Sequence, residues 1–523
     1  MKKNFMLSVL LLVSGAMAAQ DQNAEFDITR APEFIESACN SSIFIKGVSA
    51  NGRYCWGVNK YDGYYCDLET GEYAIITTTK EQKKQGYVQS TLAGITDDGI
   101  AVVNLGLRET YLYNIATGEK TYLQSPMEEY PFINVWDMTP DGKVLGGNFI
   151  TAGNFQYPMC AVRQDDGTYK MMALEHEVLD VVGDTAQFTQ LRCVMNSGKY
   201  LAGSQIDYSG SVARYVVWER QDDGTYKYTA PFDKYLYNFD VENPGPRPNI
   251  NDYVTNNDPS TDEYKQQLKD FYAINNEWYD KFEVFTKKYS TVDWGGIRRS
   301  SREDWLCGSF RLAADDYWGE LSYSPLYYNC ETKEVVHLDN MDQQCRAAEL
   351  LGEDKYLIME GNRFMRLMIL ENGVKRHFYE WLKEKTGVDV SEDYHFVFTD
   401  YQSGMDVDDI IMGFPVISND GKTLLLTTFV EGANKASVIK FSKSIYGDVE
   451  TGIEAKVVNS FEMSGTVIEG NADVNVYTLD GKLVKTLSVS GSVDMKDVLG
   501  TGTYVVKVKA DKNITKSYKM IIL

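Results

Sequence analysis

The chain has 523 residues, 43% hydrophobic, 13% aromatic and 24% charged, a composition that folds and is not that of a disordered chain. Its 75 acidic against 52 basic residues give a formal net charge of −23, which repels a phosphate backbone and excludes nucleic acid as an expected partner. The length accommodates about two to four domains, or one large all-β unit with a small companion.

Residues 1–18 read as a secretory signal peptide: Lys2 and Lys3, the apolar run Phe5–Val13, then Ala16-Met17-Ala18 before Ala19. That run is too short to span a bilayer, and no later segment is long and apolar enough to do so. No Cys follows it, so a lipid anchor is not expected. The expectation is an exported protein without a membrane span.

Residues 19–450 carry an internal repeat. Arg163-Gln-Asp-Asp-Gly-Thr-Tyr-Lys170 recurs identically as Arg220–Lys227. Around it lies a weaker unit: a Ser/Thr-x-Asp/Asn-Gly turn, a β run ending in Gly, an aromatic β run, and a Thr-Gly or Asp-Gly turn. It is read at Val48–Gly52, Ile95–Gly99, Met138–Gly142, Met195–Gly198, Ser300–Phe310, Leu350–Asp354 and Ile417–Gly421. The glycines of such turns supply the positive φ that tight hairpins need. A single sheet of this kind buries only one face, whereas about seven stacked radially bury both, which predicts a β-propeller of four-stranded blades. The 36 Tyr suit the packing between sheets.

These units resemble the kelch-like, TolB-like and HAF-type propeller repeats, in which Ser-x-Asp-Gly precedes a Gly-ended strand. They lack the recurring Gly-His and Trp-Asp of WD repeats, and Ser49-Ala-Asn-Gly52 brings its Gly one position too early for a sialidase Asp-box. A β-solenoid or a pair of sandwiches is the structural alternative.

The pattern breaks over about 231–293, where Pro231, Pro244, Pro246, Pro248 and Pro259 mark an extended loop. Ser260-x-x-Glu263 then reads as a capping box opening a helix with Tyr264, Leu268, Phe271, Trp278, Phe282, Phe285 and Tyr289 at helical spacings. This insert either caps the propeller channel or packs against one blade. A shorter helix is predicted over 375–385, stopped by Gly387.

Chemical motifs are sparse. Cys55 and Cys66 flank Tyr61-Asp62-Gly63 and fall opposite one another if that is the hairpin turn; Cys307 and Cys330 look comparable, so both pairs are candidate disulfides. The four His, at 176, 337, 377 and 395, lack metal-ligand spacing. No nucleophile elbow or phosphate loop occurs. Asp406-Val-Asp408-Asp409 and Asp315-Asp316-Tyr317-Trp318 are the places where Ca²⁺ or a sugar ring could bind, with solvated loops as the plainer reading. No catalytic, cofactor or metal residue is assigned.

Over 451–523 the chain becomes short alternating β segments that predict a small β-sandwich. From Ile453 onward nine Lys face eight acidic residues, so the acidic excess belongs to the middle of the chain. Val474-Asn-Val-Tyr-Thr-Leu-Asp-Gly-Lys-Leu-Val484, Gly502-Thr-Tyr-Val-Val-Lys-Val508 and Lys516–Ile522 resemble the type A C-terminal sorting domain of the Bacteroidetes type IX secretion system. Thr503 stands where that family more often has Ile. The resemblance implies recognition by outer-membrane secretion machinery and delivery to the cell surface or medium. The expected function is a binding or interaction module for a glycan or protein ligand. The alternative is a carbohydrate-active hydrolase or lyase with paired carboxylates on the propeller face.

Overall fold

The computed structural model describes residues 28–34, 43–59, 62–84, 89–175, 188–206, 213–245, 247–287, 289–293, 296–312, 323–338, 345–361, 366–390, 410–411, 414–430, 433–446, 461–464, 467–478, 482–510 and 514–522. The signal peptide and both acidic clusters, 315–318 and 406–409, lie outside these residues. The chain divides into two compact units, Met1–Gly447 and Asp448–Leu523.

The larger unit is a seven-bladed β-propeller of antiparallel sheets. Four blades run inner to outer strand without interruption: Ile43–Val48 to Tyr73–Ile76, Ser90–Ile95 to Lys120–Leu123, Phe132–Met138 to Tyr169–Ala173, and Phe188–Val194 to Tyr226–Thr229. The fifth has a divided inner strand, Tyr289–Val292 and Arg298–Arg299, and ends at Val335–His337. The sixth runs from Cys345–Gly352 to Val374–His377. The seventh is built from Ile410–Ile411, Val416–Ile417, Thr423–Val430 and Ala433–Phe441, and its outermost strand is Ile28–Phe34 from the start of the chain. That pairing ties the two ends of the unit together. The ring closes because Leu425, Ala436 and Val438 of the last blade share a core with Ile43, Ile45 and Tyr64 of the first.

The repeated turn has a single physical basis. Ser49, Thr96, Thr139 and Ser418 each accept a hydrogen bond from the amide that starts the second strand, Tyr54, Ile100, Val144 and Thr423, at 3.0 Å. The same hydroxyls donate to Asn51, Asp98, Asp141 and Asp420. The following Gly then takes positive φ, as at Gly99 with 83°. The identical octapeptides form the outer hairpins of the third and fourth blades. Tyr169 and Tyr226 in them donate to the Gly142 and Gly198 carbonyls of the inner turns at 2.5 and 2.8 Å. Their identity therefore serves the blade, pinning its outer edge to its inner turn.

The insert lies between the fourth and fifth blades. Its helix is Asp262–Phe285, and its N-cap is Thr261, whose hydroxyl accepts from the Tyr264 amide; Ser260 instead bonds Asp258. Tyr289 belongs to the fifth blade, not to the helix. Trp278 and Phe285 are buried with Phe232, Leu236, Tyr237, Tyr215 and Phe310 in the seam between those blades. Arg214 of the fourth blade and Asp233 at the root of the insert form a buried ion pair at 2.6 Å. The shorter helix runs Phe378–Thr386 and ends at Gly387 with φ 72°; residues 374–377 complete the sixth blade.

Of the two candidate disulfides, Cys55 and Cys66 are direct cross-strand partners. Cys307 and Cys330 are not. Cys307 sits one residue before its strand glycine whereas Cys55 sits two before, and a one-residue offset turns a side chain to the other face of the sheet. Cys307 accordingly packs between blades five and six and Cys330 between blades four and five.

In the C-terminal unit five strands form one hydrogen-bonded network around a core of Ile468, Val474, Val476, Val489, Met495, Leu499, Val506 and Val508. Two 12-residue strands, Val467–Thr478 and Leu483–Asp494, form its longest hairpin.

Candidate functional site: a blind pocket on the propeller axis

In five blades the inner strand carries one residue more than its partner. The register slips between Ile45 and Gly47, Leu92 and Gly94, Val135 and Asp137, Leu191 and Cys193, and Ala347 and Glu349. The extra residues are Lys46, Ala93, Trp136, Arg192 and Ala348, and all five line an axial cavity of about 900 Å³. A bulge rotates its side chain out of the alternation of the strand. Lys46, Trp136 and Arg192 present their side chains to the cavity, whereas Ala93 borders it while packing in the core between the second and third blades. In the fifth and seventh blades the broken inner strands contribute Arg298 and Phe414.

In three of the five blades a glycine of the second strand makes room for the bulge, while Val103 and Ile358 stand at that position in the other two. Gly57, Gly147 and Gly203 pair with Ile45, Val135 and Leu191. A Cβ at these positions would fall 1.9, 2.0 and 2.0 Å from the carbonyl oxygens of Phe44, Asn134 and Gln190. Only glycine allows that approach.

One end of the cavity is closed by the turn of the fifth blade, which reaches four other blades. Arg299 donates to the Met138 carbonyl of blade three at 2.9 Å and lies 3.6 Å from Asp137. It also donates to the Val194 carbonyl of blade four. The Ser301 hydroxyl donates to the Ile417 carbonyl of blade seven at 2.6 Å, and Asn419 returns a bond to the Ser301 carbonyl at 2.7 Å. Asn196 of blade four donates to the Glu303 carbonyl at 2.6 Å. Glu349 of blade six accepts from the Ser300 hydroxyl and from the Ser301 and Leu350 amides. Arg108 and Asn154 line the cavity from the turns at the other end.

Charge in this cavity is inverted relative to the chain: Lys46, Arg108, Arg192, Arg298 and Arg299 stand against Asp137 and Glu349. Both acids belong to the floor. Asp137 accepts from the Val194 amide at 2.9 Å as well as facing Arg299. Burial pushes the carboxyls of Asp137 and Glu349 above the usual range. Burial likewise lowers Arg192, and brings Arg298 down to about 10. Lys46 is lowered by burial and then by the charge of Arg192. The Arg192 guanidinium lies 4.5 Å from the Trp136 ring centre, and that of Arg298 stacks on Phe414.

The site differs from the sequence expectation in its origin. No residue of the helical insert lines the cavity among the described residues, so the insert packs in a blade seam and does not cap the channel. His337 packs edge-on to Tyr289 and Phe310 and contacts Ser324, while His377 stands at the N-terminus of the short helix with its ring stacked on Tyr379; His176 and His395 lie outside the described residues. No cluster of three potential metal ligands occurs among the described residues.

No family model and no curated protein matches the chain. Among solved structures it is similar to PorZ, a surface component of the type-IX secretion system of Porphyromonas gingivalis, with TM-score 0.37 and 8% identity over 90% of this chain and 58% of that one. It is also similar to an oligogalacturonate lyase from Vibrio parahaemolyticus, with TM-score 0.38 and 10% identity over 80% and 96%. A TolB-type protein from Agrobacterium tumefaciens gives 0.30 and 8% over 60% and 86%. The chain thus spans a little over half the length of PorZ. At these scores the propeller assignment rests on the chain's own sheets.

Proposed function

We propose that this is an exported propeller protein that binds a small ligand in its axial pocket, with the C-terminal unit acting as the secretion signal. The observation that carries the binding role is the set of bulges: five inner strands give up regular pairing, and each extra residue lines the cavity. Export is supported by the leader-like residues 1–18 and by the sorting-domain resemblance of residues 452–523. Acid–base chemistry is disfavoured, because each pocket carboxylate is already tied to amide and side-chain donors of the floor.

Thermal denaturation of the mature chain against a ligand panel tests the binding role. A ligand at a hundredfold excess over its Kd stabilises the native state by about 2.7 kcal/mol. The expected shift disappears on Trp136→Ala; a shift that survives this change places the ligand elsewhere and refutes the pocket. For export, removal of residues 452–523 should retain the protein inside a cell that has the type IX machinery. Undiminished release sinks that part of the reading.

A further inference from the structure

Resting on the pocket reading, we infer that the ligand is an acidic sugar, one whose ring carries a carboxylate, seated with its ring against Trp136 and its carboxylate between Lys46 and Arg192. Three independent features point there. The first is charge. In a chain of net −23 the pocket holds, among the described residues, five basic and two acidic side chains, and the two acids are engaged in the floor. Lys46, exposed on the cavity wall, makes no hydrogen bond or ion pair with any described residue, and Arg192 across the cavity helps to lower it. Arg192 disfavours the charge on Lys46, and an anion bound beside both relieves this, so an anion is the ligand charge they reward.

The second feature is the aromatic wall. Trp136 is 38% exposed although it lies on an inner strand, and the guanidinium of Arg192 rests on its ring. A flat apolar surface beside a cation matches a molecule with an apolar ring face and an anionic substituent. An inorganic anion has no use for the ring, and a neutral sugar has no use for the cations.

The third is size and closure. A cavity of about 900 Å³ accommodates a ligand of a few sugar rings. The fifth-blade turn stops it at one end, so a chain end enters more readily than the middle of a polymer. Arg298, with its buried Nε lacking a hydrogen-bond partner among the described residues, also lines the cavity and lies over the Phe414 ring. It offers a second cation–aromatic pair for a second ring.

Isothermal titration of the mature chain with tri-galacturonate, neutral galactotriose, tetra-glutamate and sodium sulfate tests this, alongside Lys46→Met, Arg192→Gln and Trp136→Ala. The expected result is binding of tri-galacturonate only. It should weaken about tenfold in Lys46→Met and as steeply when salt rises from low to molar ionic strength, since that strength screens partly solvated charges. Lys46→Met should keep the wild-type melting temperature or exceed it, which separates lost binding from lost folding. Equal affinity for galactotriose, tetra-glutamate or sulfate overturns the acidic-sugar assignment while leaving a pocket ligand in place, provided Trp136→Ala still abolishes it. Binding of any of these that is indifferent to all three substitutions, or no binding of tri-galacturonate, overturns the assignment; in the first case the pocket reading falls with it.

Discussion

Replacing Gly147 by Ala tests whether the bulges, and through them the pocket, depend on close approach of the second strand. The new Cβ would lie 2.0 Å from the Asn134 carbonyl oxygen and 2.8 Å from the Val135 Cα. Both are backbone atoms, and both fall well inside the roughly 3.5 Å at which non-bonded atoms rest. No rotamer relieves this, so the first two strands of the blade must separate. Overpacking of this kind costs about 1–3 kcal/mol, and each ladder hydrogen bond stretched by the separation adds about 1 kcal/mol. We expect a loss of about 3 kcal/mol. The control is Gly118→Ala: φ is 74°, with nothing within 4 Å of the added carbon. It reads the cost of a left-handed non-glycine residue alone, about 1–2 kcal/mol. Differential scanning calorimetry of the two variants should show a clearly larger fall of the midpoint for Gly147→Ala. An equal or smaller fall refutes the close-approach argument, and with it the reason for glycine at positions 57 and 203.

The other predictions address the floor, the insert, the thiols and the charge of the pocket. Glu349→Gln places an amide NH₂ against backbone or hydroxyl donors and should cost about 1–3 kcal/mol in urea unfolding; no change would show that the floor does not need the carboxylate. Asp233→Ala strands the buried Arg214 guanidinium and should cost about 3–5 kcal/mol, with proteolysis directed at the insert; a loss below about 1 kcal/mol would mean that the pair does not anchor it. In protein recovered from an oxidising compartment, Cys55 and Cys66 should be joined and should resist alkylation after unfolding, whereas Cys307 and Cys330 should be alkylated; a Cys307–Cys330 peptide pair by mass spectrometry would contradict the facing argument. The Lys46 ammonium, held below the ordinary lysine value, carries its charge below its pKa and loses it as pH rises. Anion affinity should therefore fall on the alkaline side at a pH lower than an ordinary lysine predicts, and Lys46→Met should remove that limb. A limb unaffected by the substitution would assign it to another group.

Much of the fold is legible in the residues because turns are local. The hydroxyl, the Asp or Asn two residues on, and the Gly each have a backbone duty within six residues, so the motif marks every blade it occupies. Gly387 stops its helix for the same local reason, and Cys55 meets Cys66 because the hairpin between them is short. The pocket is not local. A bulge is a one-residue slip between strands, and nothing in Ile45-Lys46-Gly47 or Val135-Trp136-Asp137 announces it. What the residues do contain, in three of the five blades, is its partner's trace, the Gly within the second strand, visible as a pattern without its meaning. Counting back eleven residues from Gly57, Gly147 and Gly203 lands on Lys46, Trp136 and Arg192. The same trace separates Cys307 from Cys55, since measuring from the strand glycine exposes the one-residue offset.

The division of labour within one repeat follows from these duties. Positions that make the turn repeat in kind because each blade must turn in the same way; the octapeptides 163–170 and 220–227 repeat outright because both pin an outer hairpin to an inner turn. The bulge position lies outside the regular pairing of its own blade and borders the axial cavity, although Ala93 also packs in the core beside it. It is occupied by Lys, Ala, Trp, Arg and Ala in successive bulged blades. A propeller can therefore alter its ligand one blade at a time without altering its fold. Small Ala93 and Ala348 open space, Trp136 supplies a surface, and Lys46 and Arg192 supply charge. Exchanging Lys46 for Glu should reverse the charge at one bulge and abolish anion binding while leaving the melting temperature nearly unchanged, because the exposed Lys46 lines the cavity. A large destabilisation by Lys46→Glu would show that the position supports the fold after all, and the separation of fold from recognition would fail at that blade.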